Sequence, residues 1–544
     1  MRAFMLVIGL YLFIALALPL YTLLSKSFNN DDGEFIGLAN YIEYFSTPAL
    51  VYSINNSVFI AVLVTLITVS IAFVLAYALT RSCMPWKGLF KSIAMVPILV
   101  PSLLPGIALV YLFGRQGMMK WLLFGHEIYG PIGIVIAEVF FTLPHALIII
   151  ITALSIADSR LYEAAVSLRA SKPKIFWTVT LPGARYGLIS AAFVVFTLSI
   201  TDFGAPKVIG GDFNVLATDV YKQVIGQQNF EMGAVVSMIL LLPAAIAFVV
   251  DRIVQRKQVA LLSARAVALE PKPSRRFDMT MLGFAILVSV FILGILFVCQ
   301  YAALIKFYPY DLSWSLVNYE FDRMDGGGWS SYFNSIRMSF FTAIIGTVIV
   351  FTGAYMVEKG RGFREGRAFF QFLAMMPMAV PGLVLGLAYI FFFNAAGNPL
   401  NVIYHTMIIL VISTVTHFYT VSHLTAVTAL KQMDPEFEAV ASSLKQPFYK
   451  TFARVTVPVC LPAILDISIY LFVNAMTTVS AVVFLYGPDT TLASVAVLNM
   501  DDAGDIAPAA AMGMMIFYTA AGVRGLHYLL TRGIEKKTQA WRTR

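Results

Sequence analysis

The stretch that decides the fold is SIADSRLYEAAVSLRASKPKIFWTVTLP, residues 155–182, a polar and basic segment between two long apolar runs. A second segment, MDPEFEAVASSLKQPFYKTFARVTVP at residues 433–458, repeats its pattern at an offset of 276 residues. The matching pairs are Leu168 and Leu444, Arg169 and Lys445, Phe176 and Phe452, Val179 and Val455, and Thr180 and Thr456. We call these segments the first and second polar loops. Their similarity predicts a duplicated membrane domain that presents two equivalent surfaces to a partner.

The composition is that of a membrane protein. The 544 residues are 59% hydrophobic and 12% charged, and the mean hydropathy is +0.80, whereas soluble domains carry roughly 25% charged residues. The three cysteines, Cys83, Cys299 and Cys460, predict no disulfide framework. The six histidines lack the spacing of a zinc site. We therefore predict an all-α polytopic membrane protein.

Twelve apolar runs are long enough to cross a bilayer, which takes about 20 residues. Six of them lie in residues 1–250 and six in residues 279–530, so we predict two fused six-helix halves. A basic, proline-containing linker at 251–278 joins the halves, and a polar tail follows at 531–544. The predicted runs are Phe4–Leu24, Ser57–Thr80, Ser92–Phe113, Pro131–Ala153, Gly187–Pro206, Met232–Val250, Met279–Ala303, Ser339–Val357, Phe369–Phe393, Val402–His423, Leu461–Tyr486 and Ile506–Leu530.

The distribution of Lys and Arg predicts the orientation. With the N-terminus inside, 30 of the 38 basic residues fall in cytoplasmic segments, as the positive-inside rule requires. Both termini are then cytoplasmic, and the net charge of +8 reflects membrane topology rather than nucleic-acid binding.

The repeat extends beyond the polar loops. Asn56-Ser57 matches Asn334-Ser335 at an offset of 278, and the Pro97/Pro101 pair matches Pro377/Pro381 at an offset of 280. Six helices per half give both halves the same orientation, related by an axis along the membrane normal. We expect a transport path near that axis. The proline-rich helices either flank this path and bend during transport or are structural kinks alone.

The first polar loop predicts a helix, a tight break and a second short helix, because its apolar and small residues recur at helical spacing up to Leu168 and Ser171 precedes Lys172-Pro173. One interpretation is an amphipathic loop lying on lipid headgroups. The presence of two copies favours a docking element.

These residues resemble the EAA loop of ABC-importer permeases, and the duplicated layout resembles the ferric-iron-type permeases, in which one chain supplies both halves. The matching residues are Glu163-Ala164-Ala165, Leu168, Ala170-Ser171 and Thr180-Leu181-Pro182. The chain departs from the family pattern in three places: Arg169 and Lys445 stand where the family has glycine, and Glu438 precedes the aligned Ala439. The resemblance implies ATPase coupling by Glu163, Ala164, Ala165, Leu168, Arg169, Ala170, Glu438, Ala439, Leu444 and Lys445.

The resemblance further implies a type I ABC importer fold in a bacterial inner membrane. The implied partners are two copies of a cytoplasmic ABC ATPase and a periplasmic substrate-binding protein. The chain contains no G-x-x-x-x-G-K-[ST] motif, so ATP and Mg are expected in the partner ATPase and not in this chain, which is not predicted to be an enzyme.

Asp202 is the first candidate for the transport path, because an ionisable residue in an apolar helix usually faces a cavity or a partner. A helix-end aspartate in the headgroup zone is the alternative. Its counterpart at the 276-residue offset is Thr478. We predict path residues Thr201, Asp202, Phe203, Thr477, Thr478 and Ser480. Glu138, His145 and Asp466 are weaker candidates that pair between helices in the alternative interpretation.

The stretch Ser199–Arg252 resembles permeases assigned to 2-aminoethylphosphonate uptake, which is therefore the expected substrate. Ferric iron is the alternative substrate; against it, the sequence shows no cluster of Tyr, His and carboxylate within the helices. A secondary transporter driven by an ion gradient is the alternative class, but the paired polar loops have no role in it. A membrane-embedded enzyme would need a catalytic constellation, and we find none in the sequence.

Overall fold

A computed structural model describes residues 2–30, 32–155, 158–260, 269–360, 362–434 and 436–538. The predicted all-α polytopic membrane fold is confirmed. Eight helices in this part of the chain are long and apolar enough to span a membrane, and the number rises to twelve when each of four bent helix pairs counts as one span. The predicted linker 251–278 and tail 531–544 lie partly outside the described residues.

The eight unbroken spans form because a helix pairs all its backbone groups within one segment, which is what a lipid environment requires. Several of them begin or end at residues suited to the position. Pro48 occupies a first helical turn, where its missing N–H costs nothing. The spans are Phe4–Lys26, Pro48–Arg81, Pro131–Ser155, Lys172–Thr201, Phe230–Gln255, Arg275–Leu304, Gly328–Lys359 and Ile506–Thr531.

Four further apolar segments are helix pairs bent at a short break. Lys87–Leu99 and Leu103–Phe113 meet at 102°, and Arg364–Ala379 and Gly382–Phe393 meet at 113°. The predicted proline kinks are therefore confirmed, and both breaks contain a proline, Pro101 or Pro381, which cannot continue the ladder of helix hydrogen bonds. The other pairs are Met407–His417 with Tyr419–Lys431, bent by 56°, and Phe448–Val459 with Leu461–Thr477, bent by 78°.

Short elements connect the spans. A two-stranded antiparallel hairpin pairs Ile305–Phe307 with Asp311–Trp314. The short α-helices are Ala39–Ser46, Ser159–Ser167, Gly204–Ile209, Leu216–Tyr221, Glu436–Ser443 and Ala493–Ala503. Single turns of π-helix are Phe13–Ala17, Phe176–Thr180, Lys222–Gly226 and Phe452–Thr456, and turns of 3-10 helix include Lys120–Leu123, Val317–Tyr319, Phe321–Arg323, Pro399–Ile403 and Pro488–Thr490.

The chain divides into two compact units. Unit 1 comprises Met1–Ile42, Gln227–Met238 and Tyr319–Arg544, and unit 2 comprises Glu43–Gly226 and Ile239–Asn318. The first predicted span, Phe4–Leu24, therefore lies in unit 1 with most of the second sequence half. The first span of the second half, Met279–Ala303, lies in unit 2 with most of the first half. Sequence order predicts the repeated segments, whereas tertiary packing decides which core a flanking helix joins.

Each unit has its own apolar core. In unit 1, Leu12 of the N-terminal span is buried with Tyr355, Phe370, Tyr419 and Leu471. In unit 2, Phe140 contacts Phe291 with ring centroids 6.3 Å apart, and the buried Cys299 thiol donates to the Leu104 carbonyl oxygen at 3.5 Å. The exposed faces of the spans remain apolar, as expected for helices that contact lipid.

Candidate functional site

The first polar loop has the predicted helix–break–helix form. Asp158 caps the helix Ser159–Ser167 by accepting from the Arg160 backbone N–H at 3.1 Å. The hydrogen bonds that its side chain accepts, and then its charge, also raise the pKa of the exposed Arg160 guanidinium. Arg169 then adopts φ of +54°, in the left-handed region that glycine usually occupies after a helix. The chain resumes as a short helix, Lys172–Ile175.

The second polar loop repeats this geometry. Asp434 accepts from the Glu436 backbone N–H at 2.9 Å, and it aligns with Asp158 at the 276-residue offset. The helix Glu436–Ser443 follows, and Lys445 adopts φ of +50°. The predicted coupling residue Glu438 lies in this helix, but its side chain is outside the part that the structure describes.

Equivalent aromatic contacts hold both loops to the spans. In unit 2, the Phe176 ring lies 6.0 Å from the rings of Phe73 and Tyr77. In unit 1, Phe452 lies 5.9 Å from Phe351 and 4.8 Å from Tyr355. Each ring occupies the matching position of the repeat. The Tyr162 hydroxyl adds a hydrogen bond to Thr180 at 3.1 Å in the first loop. The loops therefore leave the spans at fixed angles.

Each loop exposes a leucine on its outer surface. Leu168 is 82% exposed and Leu444 is 65% exposed, although nothing in water favours exposing a leucine side chain. Glu163, Ala164 and Ala439 are exposed as well, and Ala165 is buried on the opposite side of its helix. Ala170 is half-buried at the break. A short amphipathic helix presented in this way fits an apolar groove on a partner protein.

A close contact between a serine and a glycine lies at both proline breaks. A Cβ at Gly204 would overlap the Ser102 hydroxyl in unit 2, and a Cβ at Gly382 would overlap the Ser480 hydroxyl in unit 1. Glycine permits this close approach because it has no side chain. The position that is Ser in one repeat is Gly in the other, so the aligned repeats contain a signal for this contact.

Asp202 is the residue that follows the span Lys172–Thr201. Its Oδ2 accepts from the Ala205 backbone N–H at 2.9 Å and so caps the next helix, Gly204–Ile209. The side chain is half-buried and lies beside Ser102 and Glu138. The structure thus places Asp202 at a helix break next to the bent proline pair, inside unit 2.

The other predicted path residues have varied surroundings. The hydroxyls of Thr201 and Thr477 donate to carbonyl oxygens one turn earlier in their own helices, at 2.8 and 3.1 Å. Phe203 is buried, with its ring 5.0 Å from that of Tyr221. Thr478 is buried, and its carbonyl oxygen accepts from Ser494 at 2.6 Å. Thr201, Asp202 and Phe203 lie in unit 2, whereas Thr477, Thr478 and Ser480 lie in unit 1.

The three weaker candidates for the transport path lie in different surroundings. Glu138 is buried beside Asp202 in unit 2. His145 lies in the same helix and contacts the Phe141 ring at 6.0 Å. Asp466 pairs with His527 at 3.4 Å in unit 1, in agreement with the interpretation of pairing between helices. The sequence did not indicate that Glu138 meets Asp202, because the contact joins different helices.

The fold brings tyrosine and histidine side chains together in unit 1, but this group differs from the cluster of Tyr, His and carboxylate considered in the sequence. The hydroxyls of Tyr11 and Tyr389 both lie near the Thr416 hydroxyl, at 2.9 and 3.3 Å. Tyr419 stacks on His423 with centroids 5.7 Å apart. Tyr11 and Thr416 are far apart in the sequence, so no local pattern could predict the contact. Among the described residues, no group of three His, Cys, Asp or Glu could hold a metal ion.

Comparison with known proteins adds a family match. Residues 72–260 and 359–536 match the family described as binding-protein-dependent transport system inner membrane component. The chain is 29% identical to the ferric transport system permease protein FbpB of Actinobacillus pleuropneumoniae, over 89% of this chain and 72% of that protein. It is also 29% identical to the putative ferric transport system permease protein FbpB 1 of Haemophilus influenzae, over 84% and 74% of the two chains.

A solved structure also resembles part of the chain. That structure is of a bacterial ABC transporter involved in the import of the acidic polysaccharide alginate. The alignment has a TM-score of 0.38 and 14% identity, and it covers 47% of this chain and 93% of that chain.

Proposed function

Because the chain belongs to the family of binding-protein-dependent transport system inner membrane components, we propose that it is the permease of an ATP-driven importer that transports ferric iron. The coarser part of this statement, an ABC importer permease subunit, follows from family membership. The substrate, the partners and the roles of single residues are the proposal. The observation that carries it is the matched pair of exposed polar loops on a chain that resembles ferric transport permeases over most of its length.

The proposed partners are two copies of an ABC ATPase and a periplasmic binding protein. Each polar loop presents an exposed leucine, Leu168 or Leu444, just after a short capped helix, and this repetition supports two equivalent ATPase sites. ATP and Mg act in that partner. With both polar loops facing the cytoplasm, both termini lie there too, as the distribution of Lys and Arg predicts.

The coupling surface comprises the residues that the sequence resemblance implies. Exposure of Glu163, Ala164, Leu168 and Leu444 supports their contact with a partner groove. The left-handed turns at Arg169 and Lys445 support a common shape in the two loops, since both basic residues adopt the conformation that the family's glycine favours. Ala165, Ala170, Ala439 and Glu438 complete the proposed coupling set.

The comparisons favour iron over 2-aminoethylphosphonate. The two relatives named above, matched over 72% and 74% of their length, carry the names of a ferric transport permease and a putative ferric transport permease. The sequence objection, that no cluster of Tyr, His and carboxylate lies within the helices, still counts against iron. Tyrosine and histidine side chains come together in unit 1, but among the described residues no group of three His, Cys, Asp or Glu could hold a metal ion. The resemblance of the stretch Ser199–Arg252 to phosphonate permeases supports the second candidate substrate.

The polar loops also separate this proposal from an ion-coupled secondary transporter. Deletion of residues 163–170 should abolish co-purification of the ATPase and ATP-dependent uptake, because it removes one docking helix. The thermal unfolding temperature of the purified variant serves as the folding control. Uptake that continues in a folded variant and depends on an ion gradient would contradict the proposal.

The substrate is tested by uptake into cells that carry the chain together with its ATPase and binding protein. Radioactive ferric iron should accumulate only when all three proteins are present, and excess unlabelled 2-aminoethylphosphonate should leave the rate unchanged. Accumulation of labelled 2-aminoethylphosphonate without accumulation of iron would keep the permease class and overturn iron as the substrate.

A further inference from the structure

Glu138 is a buried acid without a hydrogen-bond donor nearby. It lies within the span Pro131–Ser155 and is 0% exposed. In the part of the chain that the structure describes, no N–H or O–H group donates to either carboxyl oxygen. The group that its carboxyl does meet is the carboxyl of Asp202. Buried polar groups are normally hydrogen-bonded, so this arrangement calls for a further atom between the two acids.

Asp202 has a donor that Glu138 lacks. It accepts from the Ala205 backbone N–H at 2.9 Å, in the first turn of the short helix Gly204–Ile209. Its side chain is half-buried, whereas that of Glu138 is fully buried. A backbone donor and partial exposure both stabilise an ionised carboxylate. The surroundings therefore favour a negative charge on Asp202 and none on Glu138.

Two ionised carboxylates in contact within a buried site repel each other and lose their hydration. Either a proton or a metal cation between them removes the conflict. A metal cation would take several further oxygen ligands, and the described residues offer no group of three His, Cys, Asp or Glu. A proton needs only the two carboxyls.

We propose that Glu138 and Asp202 form a buried proton-binding pair, in which Glu138 remains un-ionised and donates a hydrogen bond to the Asp202 carboxylate. Glu138 is then a positioning residue for Asp202. The proton satisfies the otherwise unpartnered Glu138 and ties the span Pro131–Ser155 to the helix break at Asp202. This proposal is independent of which substrate is transported.

The pair belongs to one repeat only. At the 276-residue offset, Glu138 and Asp202 correspond to Thr414 and Thr478. The Thr414 hydroxyl donates to the Leu410 carbonyl oxygen at 2.8 Å within its own helix. The equivalent place in unit 1 is thus neutral, and the two repeats differ by one buried negative charge.

Infrared spectroscopy of the purified full-length chain in lipid nanodiscs tests the protonation directly. The wild-type spectrum at neutral pH minus that of Glu138→Gln should show the carbonyl stretch of an un-ionised carboxylic acid, which shifts in D2O. Absence of this band would overturn the proposal.

Uptake by two Glu138 variants distinguishes a bound proton from a bound metal cation. Glu138→Gln retains an amide N–H that can donate to Asp202, so its uptake rate should stay within about twofold of wild type. The uptake rate of Glu138→Leu should fall at least about tenfold, because this variant loses a hydrogen bond to a charged group. The thermal unfolding temperature of Glu138→Gln should match that of wild type. Loss of uptake in a folded Glu138→Gln protein would overturn the donor role, because a glutamine cannot replace a carboxylate that binds a cation.

Discussion

Gly204 lies so close to Ser102 that a Cβ at position 204 would overlap the Ser102 hydroxyl. The second repeat contains the same contact with the residues exchanged, because a Cβ at Gly382 would overlap the Ser480 hydroxyl. Ser102 aligns with Gly382 at the 280-residue offset, and Gly204 aligns with Ser480 at the 276-residue offset. Each repeat therefore holds one serine and one glycine at this contact, and there is space for only one side chain.

Substitution of Gly204 by Ala should destabilise the protein by about 1–3 kcal/mol, because an added methyl group must displace Ser102 in a packed region. The measurement is the thermal unfolding temperature of the purified chain in nanodiscs. Gly294→Ala is the matched control, since it lies in a helix of unit 2 with open space around the added Cβ.

The double variant Ser102→Gly with Gly204→Ser copies the arrangement of the second repeat. It should recover most of the stability that Gly204→Ala loses, because the side chain that fills the contact then comes from the other position. A double variant no more stable than Gly204→Ala would show that the two contacts are not equivalent.

Replacement of the exposed leucines of the polar loops should weaken ATPase binding. Leu168→Asp and Leu444→Asp place a charge where we propose an apolar groove, so each should reduce ATPase co-purification by at least about tenfold. Glu163→Lys should uncouple or detach the ATPase as well. Leu312→Asp is the control, because Leu312 is also exposed but lies on the hairpin that is remote in sequence from both loops. Equal co-purification of Leu168→Asp and Leu312→Asp would refute the docking role.

The turn at Arg169 should depend on backbone conformation rather than on charge. Arg169→Gly retains the left-handed φ of +54° and should keep coupled ATPase activity. Arg169→Val should reduce coupling, because a β-branched residue is strained by about 1–2 kcal/mol or more in that conformation. The ratio of substrate-stimulated to basal ATPase activity measures the effect. A loss in Arg169→Gly equal to that in Arg169→Val would assign the role to the guanidinium instead.

Asp202 is expected to serve as both a helix cap and a charge. Asp202→Asn keeps an oxygen that accepts from Ala205 and should leave the unfolding temperature near that of wild type, whereas Asp202→Ala should lose about 1 kcal/mol of stability. Both variants should lower uptake while ATPase assembly remains intact. Uptake kinetics of Asp202→Asn that match wild type would remove the charge from the transport path.

An ion pair within unit 1 joins the end of the N-terminal span to the start of the helix Phe230–Ala260. Lys26 Nζ lies 3.0 Å from Glu231 Oε1, and the Glu231 side chain is 12% exposed. Lys26→Glu should destabilise the protein by about 3 kcal/mol, because it places two negative charges together at a mostly buried site. The double exchange Lys26→Glu with Glu231→Lys should recover much of this loss in a thermal unfolding measurement. Failure to recover would show that the pair contributes through other contacts.

Much of the fold could be predicted because its signals are local. Hydropathy identifies the spans, and the helical spacing of the first polar loop together with its repetition in the second predicts the helices Ser159–Ser167 and Glu436–Ser443. The bends near Pro101 and Pro381 follow from the chemistry of proline. The membership of the N-terminal span in unit 1 could not be predicted, because it depends on which core offers the better packing surface.

The candidate site was harder to predict, because its contacts also join residues that are distant in the sequence. Asp202 was identified as an ionisable residue near a helix end, but its partner Glu138 lies on another helix and no sequence period relates the two. Phe203 was grouped with Asp202 as its neighbour in the chain, yet its ring is buried against Tyr221. A helix break sends adjacent side chains in different directions, and this information lies in the backbone rather than in the residue order.

The most direct test of the proposed function is ATPase activity in lipid nanodiscs that contain the chain and its ATPase, with the binding protein present. Ferric iron should stimulate ATP hydrolysis, and 2-aminoethylphosphonate should not. Stimulation by 2-aminoethylphosphonate alone would contradict iron as the substrate, and failure of any ATPase to associate with the chain would contradict the coupling role of the polar loops.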